Sequence, residues 1–140
     1  MTEPIEFKPH IFRRLFAGLI DYLILLLIWI VLGFGLLILI DPNTFPLETL
    51  VWFLMLGFWF LLIVGMEYKF NATIGNKITG LRPKSLENNE KPTLTQSFLR
   101  HLLDPIDLLF MGIITIIIIM NTDKKQRFGD LVAGTYVVKK

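Results

Sequence analysis

Residues 22–40 read YLILLLIWIVLGFGLLILI, and these 19 residues contain no charge. An α-helix rises 1.5 Å per residue, so about 20 apolar residues cross the roughly 30 Å of bilayer hydrocarbon. A surface helix of a soluble domain would show a polar stripe, and this run has none. A second run, Thr49–Met66, adds 18 uncharged residues. Arg13 and Arg14 precede the first run, as basic residues precede the apolar part of a signal peptide. That part, however, spans only about 7–15 residues and is followed by a small-x-small cleavage site. The first run is longer and lacks such a site, so it reads as a span retained in the membrane.

Between the two runs, Asp41-Pro42-Asn43 stops the first helix, because proline cannot continue a helix and Asp-Pro favours a turn. The sequence therefore predicts helices over about residues 11–40 and 47–68. The short acidic connection makes them an antiparallel hairpin. Trp52 and Trp59 on the second helix suit an interface belt or helix packing, with no ligand needed. A third helical region is expected over about residues 95–120, capped by Thr95 or Ser97. Its uncharged part, Leu108–Met120, has 13 residues, too few to cross alone. With Pro105 and Gly112 inside it, the region is either a Pro-kinked third span or a re-entrant segment. The fold class is an all-α membrane protein of about three transmembrane helices, forming a single domain over residues 8–140.

Residues 67–97 are polar and rich in Gly, Pro and Asn, and read as a long loop. Within it, 77–84 suits a short strand, and Thr135–Lys139 suits another; whether the two pair stays open. No internal repeat of the whole unit is evident. Of 14 basic residues, three lie in the N-terminal segment, six in the central loop, five in the tail and none between the first two helices. Cytoplasmic loops are enriched in Lys and Arg, so the N-terminus and central loop are expected inside, in the plasma membrane. Three full crossings would then put Lys124, Lys125 and Arg127 outside, against the rule, and a re-entrant third region would return them.

The chain has no cysteine, which excludes disulfides, thiolate metal sites and cysteine nucleophiles. Its net charge of +2 gives no nucleic-acid footprint. No Ser-His-Asp order, phosphate loop or zinc-protease pattern is present, so no enzyme, cofactor or metal is expected. His101 and Asp104 are only two ligand types and do not make a metal site. Asn71-Ala-Thr73 fits a glycosylation pattern but lies in the expected cytoplasmic loop. Lys124-Lys125-Gln126-Arg127 reads as an orientation signal or an anionic-lipid contact.

The remaining signal is a set of charges beside the apolar runs. Arg14 and Asp21 are seven residues apart, as are Arg100 and Asp107. Seven residues are nearly two helical turns, so each pair shares a face, and Asp104 lies on the face of the second pair. A charge at the bilayer centre costs about 2.5–3.5 kcal/mol on insertion scales, so such groups tend to face a bundle interior in pairs. Pairing between helices is expected, Arg14 with Asp104 or Arg100 with Asp21. Two readings stay open. The carboxylates hold a proton or a monovalent cation, or the set is an ion-pair network that only fixes helix packing. Arg13, Arg14 and Arg100 also suit simple anchoring of helix ends by snorkelling.

Four segments in order resemble one known family. Arg13-Arg14-Leu-Phe-Ala17-Gly-Leu-Ile-Asp21 and Phe98-Leu-Arg100-His-Leu-Leu-Asp104-Pro-Ile-Asp107 are two of them. Ala72-Thr-Ile-Gly75-Asn-Lys77-Ile-Thr-Gly80-Leu-Arg82 lies between those two, in the central loop. Gln126-Arg-Phe-Gly129-Asp130-Leu-Val-Ala133-Gly134-Thr135 closes the set. Together they resemble the RDD family of small membrane proteins, with Arg14, Asp21 and Asp107 best matching its arginine and two aspartates. Gly75, Gly129, Asp130 and Gly134 are further motif positions. Pro105 and the extra acid Asp104 depart from the pattern. The resemblance implies about three membrane helices, and transport, including sodium–proton exchange, has been suggested for the family. Two functions follow as expectations: a subunit of a cation/proton transporter, or a non-catalytic module that binds membrane lipid or a partner membrane protein. A transporter of three helices would need a homo-oligomer or such a partner.

Overall fold

A computed structural model describes residues 7–40, 46–109 and 112–140, apart from the side chains of 107–109. The Asp41-Pro42-Asn43 stop lies outside the described residues. Helix α1 spans Ile11–Leu39. Helix α2 spans Leu47–Phe70 and packs against α1. Both are long and apolar enough to cross a membrane, and only 6% and 11% of their most apolar windows are buried within the chain. The core helix of a soluble protein would be covered. These helices instead expose Val31, Phe34, Ile38, Trp52 and Phe53, which hydrocarbon would cover.

Helix α2 changes winding on the way. Phe60–Gly65 is π-helical, and the α-helix resumes over Met66–Phe70. Single-turn π segments insert an extra residue and are enriched at functional sites. Here Ile63 and Val64 within the π segment and Glu67 after it are buried.

The expected central loop is mostly ordered structure. Helix α3 spans Ile74–Thr79; the Thr73 side chain accepts from the Asn76 N–H at its start, and Gly80 at φ 72° ends it. A hydroxyl N-cap and a left-handed glycine satisfy backbone groups that a helix leaves open. Strand β1, Leu81–Ser85, follows. It pairs antiparallel with β2, Thr135–Lys139, in the register Leu81↔Lys139 to Ser85↔Thr135. Helix α4 spans Leu94–Leu102, and its cap is Thr93 rather than Thr95 or Ser97. The reason is Gln96, whose side chain accepts from the Thr93 N–H while the Thr93 hydroxyl accepts from the Gln96 N–H, a reciprocal capping box.

The third region is not one helix over 95–120. It is α4, then α5 over Asp104–Leu109, then α6 over Ile113–Asn121. Pro105 has no N–H and disfavours helix at the residue before it, so it sits in the first turn of a new helix. Gly112, at φ 76°, begins α6. Helix α7, Phe128–Ala133, then leads into β2.

The β1–β2 pairing corrects the topology. Strand β1 lies between α2 and α4, and β2 lies in the tail, yet they form one sheet. This sheet and the short helices around it form a cap, and the N-terminal end of α1 joins it, since Arg13 donates to the Thr79 carbonyl at 2.8 Å. All three segments therefore lie on one side of any bilayer that α1 and α2 cross. Two full spans satisfy that, and three do not.

Candidate functional site: a buried charge junction

Where α1 enters the cap, Asp21 is 7% exposed and faces the start of α3. Its Oδ2 accepts from the Thr73 hydroxyl at 2.6 Å and its Oδ1 from the Gly75 N–H at 2.7 Å. Both donors are neutral, and both belong to the N-terminal turn of a helix, where N–H groups lack partners. The approach depends on Gly75. A Cβ there would overlap the Ala17 carbonyl oxygen and lie 2.7 Å from its carbon. Any other residue would push α3 off α1 and take the N–H away from Asp21.

Across the cap, a second set of charges ties α1, α2, α4, α5 and α7 together. Arg14 Nη1 donates to Asp130 Oδ2 at 2.7 Å and Nη2 to the Lys125 carbonyl at 2.9 Å. Arg100 lies between Asp130, 3.1 Å from its Nε, and Glu67, 3.5 Å from its Nη1. Arg127 meets Asp104 at 2.7 Å and Asp130 at 3.6 Å. His101 has Asp104 at 2.7 Å from Nδ1 and Glu67 at 3.0 Å from Nε2. Tyr22 donates to Asp104 at 3.1 Å. Glu67 and Asp130 are fully buried, with Arg100, His101 and Asp104 nearly so. Arg14, Arg100, Arg127 and protonated His101 thus meet three carboxylates, Glu67, Asp104 and Asp130, and Asp21, on the wall of the same cavity as His101 and Asp104, brings the carboxylates to four. Several contacts, such as Arg100 Nη1 to Glu67 Oε1, lack hydrogen-bond geometry. The junction is balanced in charge yet not saturated in hydrogen bonds.

The environment sets the protonation states. Burial disfavours an imidazolium, but Asp104 and Glu67 on its two sides outweigh this and raise the pKa of His101 to about 9. With a carboxylate at each nitrogen, the ring carries both protons at neutral pH. Burial likewise disfavours the Asp130 carboxylate, and Arg100, Arg14 and Arg127 overcome it, lowering its pKa to about 2. Beside these groups lies a cavity of about 60 Å³, walled by Asp21, Tyr22, Asn76, His101 and Asp104 among others. One water needs roughly 10–15 Å³ in such a measure.

The sequence-predicted residues are therefore placed differently from expectation. Arg14 meets Asp130 rather than Asp104, and Arg100 meets Glu67 and Asp130 rather than Asp21. Neither arginine snorkels, since both are buried. The Asp107 side chain lies outside the described residues. Sequence reasoning missed Glu67, and it read Arg127 only as part of a basic cluster and His101 only as a weak metal ligand. Glu67 left a signal, being the first acid after 18 uncharged residues on the same helix.

The junction is built twice. Thr73, Gly75 and Gly80 of the α3–β1 unit correspond at a constant offset to Arg127, Gly129 and Gly134 of the α7–β2 unit. Gly80 and Gly134 are both left-handed caps, and their N–H groups return to equivalent carbonyls, Asn76 and Lys77 against Asp130 and Leu131. Gly129 meets the Arg100 backbone as Gly75 meets that of Ala17: a Cβ would overlap the Arg100 carbonyl oxygen. Four residues after each contact comes an aspartate. Asp21 receives the N-cap Thr73, and Asp104 receives the N-cap Arg127. The register pairs Pro83 with Val137 at the centre, so a local two-fold relates the two units. No repeat was legible in the sequence, because the units share little beyond Gly75/Gly129 and Gly80/Gly134.

The four motif segments thus converge on one junction, and the family model described as RDD family matches residues 8–134. The chain belongs to the RDD family. No curated protein and no solved structure matches it. Of the positions that resemble the RDD arginine and first aspartate, Arg14 clamps the second cap unit through Asp130 and Asp21 clamps the first through Thr73 and Gly75. The RDD motif glycines Gly75 and Gly129 are points where one helix meets the backbone of another.

Proposed function

We propose that this RDD protein is a non-catalytic membrane module. Its charge junction clamps a two-helix membrane hairpin to a juxtamembrane cap, and the assembled body binds other membrane components. One observation carries the reading: each of the four junction carboxylates, Asp21, Glu67, Asp104 and Asp130, already has at least two partners within the chain. A carrier must release such partners in every cycle, and removing one partner of a buried pair costs about 3–5 kcal/mol. By the distribution of Lys and Arg, the cap faces the cytoplasm.

A second reading, proton–cation exchange, is favoured by His101, which lies between two carboxylates on the wall of the cavity beside Asp21. Loss of its proton would leave the junction one positive charge short, which a monovalent cation would restore. Liposomes holding the purified protein separate the two. Internal pH is followed after a sodium or potassium pulse, for the parent, Asp21→Asn and His101→Gln. The module reading expects no flux from the parent. Cation-driven proton flux that disappears in folded His101→Gln would replace it with exchange.

A further inference from the structure

The likeness of the α3–β1 and α7–β2 units extends beyond them. Asn71 and Lys125 precede the two units at the same offset of 54 positions, and both are left-handed, at φ 56° and 53°. Left-handed backbone is uncommon outside glycine, so these matched positions mark one path into the two units. Ala17 and Arg100, whose carbonyls meet Gly75 and Gly129, lie 83 positions apart, as do Asp21 and Asp104. At that offset the sequence repeats as well. Lys8-Pro9 precedes α1 and Lys91-Pro92 precedes α4, a match too short to be read alone. Leu15 and Phe98 are a further pair at 83. The Phe98 ring packs against Trp59 and Phe60 of α2. The Leu15 side chain lies 3.3 Å from where a Cβ on Gly112 would stand, at the start of α6. Each entering helix thus meets the returning helix of the other half.

Each half therefore sends a length of chain out from the junction and closes it there. In the first half the chain leaves at Asp21 and is back at Thr73, whose hydroxyl is 2.6 Å from the carboxylate. In the second it leaves at Asp104 and is back at Arg127, 2.7 Å away. Between the closing residues lie 51 positions in the first half and 22 in the second. Half of each, wound as helix, reaches about 38 Å and about 16 Å. Only the first exceeds the roughly 30 Å of bilayer hydrocarbon. The second is as apolar where it returns. Helix α6 carries no charge. Its Ile113, Ile117 and Met120, spaced by four and three on one face, are each more than half exposed, whereas Thr115 and Ile119 are buried.

We infer that the chain is an internal duplication whose second hairpin, α5 and α6, is too short to cross, and that the Ile113, Ile117 and Met120 face of α6 lies among the acyl chains of the cap-side leaflet. Helix α6 is the counterpart of α2, a membrane helix, and stands beside α1 at Leu15, short of the run of residues 22–40. The occupant of its outer face follows from continuity. On α1 the exposed apolar stripe through Val31 and Phe34 reaches back through Leu27, Leu23 and Leu19 to Phe16. Phe16 and Leu19 border the space between α1 and α6, so the lipid along that stripe meets α6 next. The far end of α6 fits the headgroup boundary. Lys125 donates to the Met120 carbonyl at 3.2 Å, and Lys124 adjoins it. A lysine there suits both a helix C-terminus and an anionic membrane surface. The inference goes beyond the module reading, which does not require α6 to touch lipid.

The chain has no cysteine, so Ile113→Cys, Ile117→Cys and Met120→Cys can each carry a single fluorophore. Val31→Cys, midway along the run of residues 22–40, and Glu87→Cys, exposed in the turn after β1, are the references. The full chain, in vesicles of phosphatidylcholine and phosphatidylglycerol, is quenched in turn by aqueous iodide and by lipids with a nitroxide near the headgroup or near the chain end. At the three α6 positions the shallow nitroxide should quench severalfold more than either iodide or the deep nitroxide. Val31→Cys should favour the deep nitroxide, and Glu87→Cys should respond to iodide. Iodide quenching on α6 equal to that at Glu87→Cys would put the face in water and overturn the inference. Resistance to all three quenchers would overturn it as well, because a second copy or another protein would then cover the face. So would a preference for the deep nitroxide, which a full span would show. The replaced side chains are exposed, and three separate labels keep the test decisive if one variant misfolds. Quenching is read apart from ion flux, so failure here leaves the module reading standing.

Discussion

Asp21 and Asp130 are both buried carboxylates, yet their partners differ in kind. Asp21 accepts from a hydroxyl and a backbone N–H, whereas Asp130 lies among three guanidinium groups. Asparagine keeps one carbonyl acceptor, so Asp21→Asn loses roughly one good hydrogen bond, a cost of about 1–3 kcal/mol. Asp130→Asn instead leaves Arg14, Arg100 and Arg127 without their shared counter-charge in a buried place. Breaking a buried pair from one side costs about 3–5 kcal/mol. Denaturant unfolding of the two variants in detergent should rank Asp130→Asn as clearly the more damaging. The opposite order would mean that the family-motif aspartate on α1, not the cap aspartate, is the centre of the junction. Thr73→Ala belongs to the same comparison. It removes the cap of α3 and one partner of Asp21 together, so it should cost at least the ~1 kcal/mol typical of a lost N-cap.

At the level of elements, two close crossings hold the cap to the helices: α3 on α1 at Gly75 and α7 on α4 at Gly129. Gly75→Ala and Gly129→Ala each put a methyl group into a carbonyl of the facing helix. Overpacking against side chains costs about 1–3 kcal/mol, and backbone yields less readily, so each substitution should lie at or above that range. Gly18→Ala is the control, because nothing lies within 4 Å of the added carbon, and it should stay within about 0.5 kcal/mol. Thermal unfolding of the three variants in one detergent checks the contrast. The same elements show what the sequence could reveal. The apolar helices were legible because hydrophobic length is a local property of 19 and 18 consecutive residues. The second strand was legible as well, because Tyr136, Val137 and Val138 suit a strand, whereas residues 77–79 of the first expected strand belong to helix α3. The partners in the junction were not. Arg14 and Asp130 are brought together from positions 116 apart, and helix spacing orders only residues within a turn or two. The duplicated unit was hidden for a similar reason, since its signature is two glycines five positions apart and the rest is carried by backbone geometry.

For the whole molecule, the junction makes stability a function of pH, because it ties the hairpin to the cap through groups that titrate. His101 has a folded pKa of about 9 against an ordinary 6.5. The folded state therefore binds the proton more tightly than the unfolded chain, and the associated stability is fully present below pH 6.5. It declines as pH rises from there and is lost on passing through 9. Asp130 behaves in the opposite sense. Its folded pKa of about 2 lies below the ordinary 3.8, so its contribution is present above pH 3.8 and is lost as pH falls through 2. Together the two leave a plateau from roughly pH 4 to 6.5, with a decline on each side. Unfolding temperatures measured across pH 2–10 in one detergent should trace that shape. In His101→Gln the alkaline decline should flatten while the plateau drops, because Glu67 and Asp104 lose the cation between them. An alkaline decline of unchanged size in that variant would assign it to another group and remove His101 from the clamp. A plateau that extends beyond pH 9 in the parent protein would mean that Glu67 and Asp104 do not hold the imidazolium as their distances imply.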